Sequence, residues 1–154
     1  MDTIPGLADE RTARIALAVL IAPDDPVTGR LLVDVGAVET VRLLTTHSPV
    51  PTMDKTAAAL WRKHLSSNSS SDAVFAALRA TEKLGYQTLI PGDDGFPAPL
   101  HDLGDRLPYV LWVKGAASLL TGQVHDRFTI TGARAATSYG IHVAQTLAND
   151  LASE

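Results

Sequence analysis

The chain has 154 residues, of which 45% are hydrophobic and 19% charged, a composition typical of a globular protein and not of a disordered tail. It contains no cysteine, which excludes disulfides and thiolate metal sites. The net charge of −4 argues against a protein that follows nucleic-acid phosphates over a broad basic surface. Any such binding must therefore come from a local pocket or from parts of a longer protein.

The amino terminus has no basic segment leading into an apolar run, which predicts that there is no signal peptide. The longest apolar stretch, Ile15 to Ala22, is far shorter than the roughly 20 residues that span a bilayer. We therefore expect a cytoplasmic protein that does not contact the membrane.

Helices are predicted throughout residues 1–84. Capping residues and apolar spacing mark their ends, with Asp25 and Pro26 starting the second one and Gly36 ending it. Gly36 also resembles part of a helix-hairpin-helix phosphate clip, but the second glycine of that clip is missing, which favours a plain helix end. The predicted helices are Asp9 to Ala22, Pro26 to Val35, Ala37 to Leu44, Met53 to Leu65, and Asp72 to Leu84, the last capped by Ser71 and closed by Gly85.

The pattern changes after Gly85. Short runs rich in β-branched and aromatic residues predict strands at 86–90, 109–113 and 128–131, and the last helix is predicted at 137–152. We therefore predict an α/β protein with two domains: a helical module over residues 1–84 and the start of an α/β domain over residues 85–154.

The segment from Phe128 to Gly140 carries the most functional information. It predicts a strand, a turn of small residues and a helix, and such a turn leaves backbone amides unpaired at a helix N-terminus, where the helix dipole favours an anion. Gly132 is expected to allow a tight turn, and Arg134 offers a fork of donors that suits phosphate. Thr137 could cap the helix or bind the same anion. A tight connection with a solvated arginine is the alternative, because strand–glycine–helix junctions are common.

The run Thr131-Gly132-Ala133-Arg134-Ala135-Ala136-Thr137-Ser138-Tyr139-Gly140 resembles the motif that opens the Rossmann-like domain of the DNA-processing protein A (DprA/Smf) family. Ala133 departs from it, because the family usually has serine there. Two upstream runs, 96–100 and 108–115, resemble further family motifs in the same order. The N-terminal helices are similar to that family's helical module of the SAM or helix-hairpin-helix type, with Leu31 to Gly36 as the point of similarity.

The resemblance implies a fold, a function and a site. The fold is a helical module followed by an incomplete Rossmann-like α/β domain. The function is non-enzymatic binding of single-stranded DNA in DNA uptake, natural transformation and recombination, with loading of a RecA-type recombinase, homodimerisation in the full-length family and no cofactor or metal. The DNA- or phosphate-binding residues carried over are Gly132, Arg134, Thr137, Tyr139 and Gly140. Tyr139 could stack on a base, although core packing is the favoured interpretation.

The family's next segment, which leads to a Ser-Gly-x-Ala-x-Gly-Ile-Asp motif, does not occur in this sequence. We therefore expect a truncated form that binds DNA weakly by itself. One alternative is a nucleotide-binding hydrolase related to phosphoribohydrolases, although its Pro-Gly-Gly-x-Gly-Thr motif is missing. Another is a helical protein-interaction module, folding over residues 1–84, with a vestigial α/β tail.

Other residues with possible chemistry are assigned structural roles. The five histidines have no metal-ligand spacing, and the pair Asp93 and Asp94 resembles a turn more than a calcium loop. Asp102 and Asp105 are expected in a solvated loop. Trp61 and Trp112 are predicted to be core anchors.

Overall fold

The computed structural model describes residues 7, 9–21, 24–63, 70–123, 125 and 127–153. The fold is mixed α/β with an N-terminal helical part. Residues up to Thr121 form one compact unit, and residues from Gly122 onward form a second. The domain boundary at Gly85 stays a prediction, and the compact units divide elsewhere, between Thr121 and Gly122.

The first two helices are α1 (Glu10–Leu20) and α2 (Pro26–Thr45). Asp25 caps α2 by accepting the Thr28 amide at 3.0 Å, and Pro26 occupies the first turn, as predicted. Gly36 interrupts α2 with a φ of 78°, a left-handed conformation that favours glycine. The predicted end at Gly36 and restart at Ala37 are therefore confirmed. The α1 side chain of Glu10 accepts the Ala37 amide at 2.8 Å and so caps the restarted helix.

Helices α3 (Lys55–Arg62) and α4 (Ser71–Lys83) follow. Ser70 caps α4, whereas the sequence assigned the cap to Ser71, which is the first helical residue. Gly85 closes α4 with a φ of 65°. The predicted helix ends at Ala22 and Leu65 lie outside the described residues.

The hydrophobic core lies among these four helices. Trp61 is 3% exposed, and its indole N–H donates to the buried Thr28 hydroxyl at 2.9 Å. Tyr109, beyond the fourth helix, belongs to the same core. Burying one large apolar side chain contributes roughly 1.5–3 kcal/mol. The core members that are almost completely buried include Leu17, Ile21, Leu31, Leu43, Leu44 and Val74.

A small antiparallel sheet follows α4. Strand β1 (Gln87–Leu89) pairs with β2 (Leu111–Val113), so that Thr88 lies opposite Trp112. Trp112 is 39% exposed, and its prediction as a core anchor is wrong. A sheet of two strands buries only the surface that a neighbour covers, and here the indole lies at the rim, where its N–H donates to Thr81 of α4 at 2.9 Å.

Arg11 of α1 attaches the sheet to the helical part. Its guanidinium donates to the Thr88 carbonyl at 2.6 Å and to both carboxylate oxygens of Asp93, at 2.9 and 2.8 Å. Asp93 lies in a turn, in agreement with the sequence interpretation, and also accepts the Ile90 amide. Residues on both sides of Gly85 therefore share one packed structure.

The connection between the strands is a 3₁₀ helix (Ala98–Arg106) that packs on α2. Arg30 of α2 binds Asp105 through two nitrogens, with Nη2–Oδ2 and Nε–Oδ2 distances of 2.6 and 3.0 Å. The expectation of a solvated loop is therefore wrong for Asp105, because the loop is folded into a helix and held by a bidentate ion pair. Asp102 is exposed. A second 3₁₀ helix spans Ala117–Leu120.

The second unit consists of an irregular stretch and helix α5 (Ser138–Ser153). The strand predicted over Phe128 to Thr131 is absent. A strand is stable only when it forms hydrogen bonds with a neighbouring strand, and no described residue supplies one. None of the helices in the described part of the chain is both long and apolar enough to cross a membrane.

Candidate functional site

The second unit contains an open groove of about 690 Å³ between the stretch at 130–137 and α5. Most of its wall consists of small side chains, so that a ligand can approach the backbone closely. The lining residues nearest the start of the helix are Gly132, Ala133, Ala135, Ala136, Thr137 and Gly140.

Thr137 caps α5. Its hydroxyl accepts the Gly140 amide at 3.1 Å, and its carbonyl accepts the Ile141 amide at 3.0 Å. Of the two roles that the sequence left open for Thr137, the structure therefore shows the capping role. The amides of Ser138 and Tyr139 belong to the first turn, where a helix supplies no internal acceptor.

The two glycines of the motif are not required by the local backbone. Gly132 does not have a positive φ, and a Cβ added there would meet no atom within 4 Å. The backbone angles at position 132 therefore do not require glycine, and the part expected for Gly132 in a tight turn stays a prediction. A Cβ at Gly140 would lie 3.5 Å from the Thr137 hydroxyl, which is ordinary contact. Both positions leave the groove wall open.

Arg134 is exposed and does not line the groove. No described residue forms a hydrogen bond or an ion pair with its guanidinium. All of its donors are thus available to an anion from solvent. This contrasts with Arg127 of the same unit, which donates to the Gly122 carbonyl.

Tyr139 is 77% exposed. The favoured sequence interpretation, packing of this ring in a core, is wrong for the described structure, because the described residues of the second unit leave the side chain exposed. Other apolar side chains of the unit are also open to solvent: Phe128, Ile130, Ile141 and Leu147.

The structure thus brings together three of the five predicted site residues, Gly132, Thr137 and Gly140, along one groove. Arg134 and Tyr139 lie outside the groove lining, with exposed side chains. Among the residues that the structure describes, no group of three or more histidines or carboxylates is placed to hold a metal ion.

A family model described as DNA recombination-mediator protein A matches residues 87–154. The match supports the assignment of this segment to that family. No curated protein and no solved structure matches the chain.

The DNA recombination-mediator protein A segment begins at the first residue of β1 and includes the sheet, both 3₁₀ helices and the whole second unit. All five predicted site residues lie inside it. Helices α1 to α4 precede it, so the family match covers the candidate site and leaves the helical part without an assignment of its own.

Proposed function

We propose that this chain binds single-stranded DNA without catalysing a reaction and acts in recombination, including DNA uptake and natural transformation, by delivering the strand to a RecA-type recombinase. The observation that carries this proposal is the match of residues 87–154 to the DNA recombination-mediator protein A family. The unpaired guanidinium of Arg134, a residue four positions before the start of α5 in the chain, supports it.

The phosphate contact is assigned to Arg134 and the start of α5. An arginine without an internal carboxylate partner can bind a phosphate through two parallel hydrogen bonds. The Ser138 and Tyr139 amides add donors at the positive end of the helix dipole. Gly132 and Gly140 keep the neighbouring wall free of side chains, so that a sugar-phosphate backbone can come close.

Tyr139 is the stacking residue in this proposal. A ring that is 77% exposed offers its face to an unpaired base, and stacking of this kind is worth about 1–3 kcal/mol per base. A duplex hides its base faces, so the same ring gives a preference for single strands.

The two alternatives from the sequence gain no support. No observation among the described residues favours a hydrolase. The interaction-module alternative requires residues 1–84 to fold alone, but Tyr109 lies in the core that these helices build, and Arg11 binds Asp93.

Binding is tested with a fluorescently labelled single-stranded oligonucleotide and anisotropy, at low ionic strength, where counterion release strengthens weak contacts. We expect Arg134→Gln to weaken binding about fivefold, because one exposed charge-assisted contact contributes roughly 1 kcal/mol. The slope of the logarithm of the binding constant against the logarithm of the salt concentration should become about 0.7 less steep, which is the value for one phosphate contact on a single strand.

Lys55→Gln is the matched control, since Lys55 is exposed, lies on α3 and forms no ion pair with a described residue. Tyr139→Ala should weaken binding and Tyr139→Phe should not, because phenylalanine retains the stacking face. Equal affinities for the wild type, Arg134→Gln and Tyr139→Ala would refute the assigned site. Recombinase delivery is tested by whether the protein shortens the lag of RecA filament growth on the same strand.

A further inference from the structure

A second exposed surface lies in the first unit, where α4 meets the sheet. A shallow groove of about 350 Å³, the α4 groove, is lined by Phe75, Leu78, Arg79, Thr81, Glu82 and Tyr86. Two residues from the end of the sheet adjoin it. Trp112 donates to the Thr81 hydroxyl at 2.9 Å, and the Lys114 ammonium lies over the Tyr86 ring, 5.8 Å from its centroid.

The Trp112 indole is both exposed and held in place. Its side chain is one of the large hydrophobic groups left open in this unit, at 39% exposure. The hydrogen bond to Thr81 fixes the orientation of the ring, so that a partner stacking on it restricts little further freedom. An aromatic ring fixed in this way beside a groove is suited to stacking.

The cations around the α4 groove differ from most arginines of the first unit. Arg79, Lys83 and Lys114 form no ion pair with any described residue. Arg79 and Lys83 are four residues apart on α4 and so lie on one helix face. Glu82 is the one carboxylate in the groove lining. The arginines that are neutralised instead form the pairs Arg11–Asp93, Arg14–Glu10, Arg30–Asp105, Arg42–Glu39 and Arg106–Asp24.

We infer that the α4 groove is a second contact surface for single-stranded DNA, with a base stacked on Trp112 and backbone phosphates held by Arg79 and Lys114. Proteins that bind single strands without sequence preference use aromatic rings for stacking, bordered by unpaired cations. The local excess of positive charge, on a chain with a net charge of −4, complements a polyanion. This inference rests on the proposed function, since it takes single-stranded DNA as the ligand, but it uses residues of the other unit.

The two tryptophans make the test specific. Trp61 is 3% exposed and Trp112 is 39% exposed, so a bound base can quench only the second by stacking. Oligothymidylate is titrated into the full chain while tryptophan emission and the anisotropy of a labelled strand are recorded together. We expect the emission to fall in step with binding, and no such fall with a duplex of the same length.

Variants then separate the charge and stacking contributions. Trp112→Leu should weaken binding about 5- to 150-fold, the equivalent of removing one stacked base. The double variant Arg79→Gln/Lys114→Gln removes only exposed charges and keeps the test valid if Trp112→Leu misfolds. It should lower the salt-dependence slope by about 0.7 for each phosphate that the variant no longer binds. The matched double variant is Lys55→Gln/Lys63→Gln, at the first residue of α3 and at its C-cap. It changes the net charge by the same amount and should bind like the wild type.

The outcomes distinguish this surface from the one assigned to Arg134. Binding that is sensitive to Arg134→Gln, but without quenching and without an effect of Arg79→Gln/Lys114→Gln, overturns the α4 groove and leaves the proposed function standing. Quenching that follows binding and is lost in Arg79→Gln/Lys114→Gln supports the groove, whatever Arg134→Gln does. Equal quenching by single strand and duplex overturns the groove alone, because stacking requires an unpaired base. Absence of any anisotropy change overturns both surfaces.

Discussion

Replacement of Gly29 by alanine should destabilise the first unit, although alanine is the better helix former. Gly29 lies within α2, and a Cβ there would be 1.7 Å from the Asp105 carbonyl oxygen of the 3₁₀ helix. Ordinary contact begins at 3.4 Å, so the two backbones must separate by about 1.7 Å, the difference between those distances. Overpacking of this kind costs up to about 3 kcal/mol, against a helix-propensity gain of about 1 kcal/mol. We therefore expect a net loss of about 2 kcal/mol.

Urea unfolding followed by tryptophan fluorescence measures this loss, because Trp61 hydrogen-bonds to Thr28, the residue next to Gly29. Val33→Ala is the control on the same helix. Val33 is 77% exposed, so its replacement should change the free energy of unfolding by no more than about 0.5 kcal/mol. A Gly29→Ala protein as stable as the wild type, or more stable, would refute the close packing of α2 against the 3₁₀ helix.

Two further substitutions test the first unit. Asp93→Asn should lower the free energy of unfolding by about 1–2 kcal/mol at neutral pH. The hydrogen bond from Arg11, followed by that from the Ile90 amide, lowers the pKa of Asp93 from its ordinary 3.8. The stabilisation by the ionised carboxylate is therefore complete above pH 3.8 and is lost as the pH falls through the folded-state pKa. Urea titrations at neutral and at strongly acidic pH check it, and a difference from wild type that persists in acid would contradict it. Tyr109→Phe should be neutral or slightly stabilising. The buried Tyr109 hydroxyl lies near Thr28 but forms no hydrogen bond of acceptable geometry with any described group, and burial raises the pKa of Tyr109. A loss above about 1 kcal/mol in thermal or urea unfolding would show that this hydroxyl has a partner.

Local signals made the helices predictable. Asp25, Pro26 and Gly36 act through neighbours three or four residues away, so the sequence alone determines where α2 begins and where it is interrupted. The prediction of a strand at 128–131 was wrong because a strand depends on hydrogen bonds from a distant segment, and the sequence shows no such partner. The 3₁₀ helix at 98–106 was missed for a related reason: the Arg30–Asp105 pair that holds it joins residues 75 positions apart.

In the candidate site too, local interactions were predictable from the sequence and exposure was not. Capping by Thr137 is a local interaction, and the sequence predicted it as one of two roles. The exposure of Tyr139 and of Trp112 depends on which elements cover them, and aromatic residues in helices and strands are more often covered. A signal for Trp112 was available in the sequence: the strand that carries it continues directly into Lys114 and Gly115, a polar end that fits the rim of a sheet.

The proposed function requires single-stranded DNA to contact residues 132–140. The most direct measurement is an NMR titration of the isotope-labelled full chain with a short unlabelled single strand, following the backbone amide of each residue. We expect the Gly132, Ser138 and Tyr139 amides to shift progressively and saturably, together with the Arg134 side-chain Nε–H. Saturable shifts confined to other parts of the chain, with these four resonances unmoved, would contradict it.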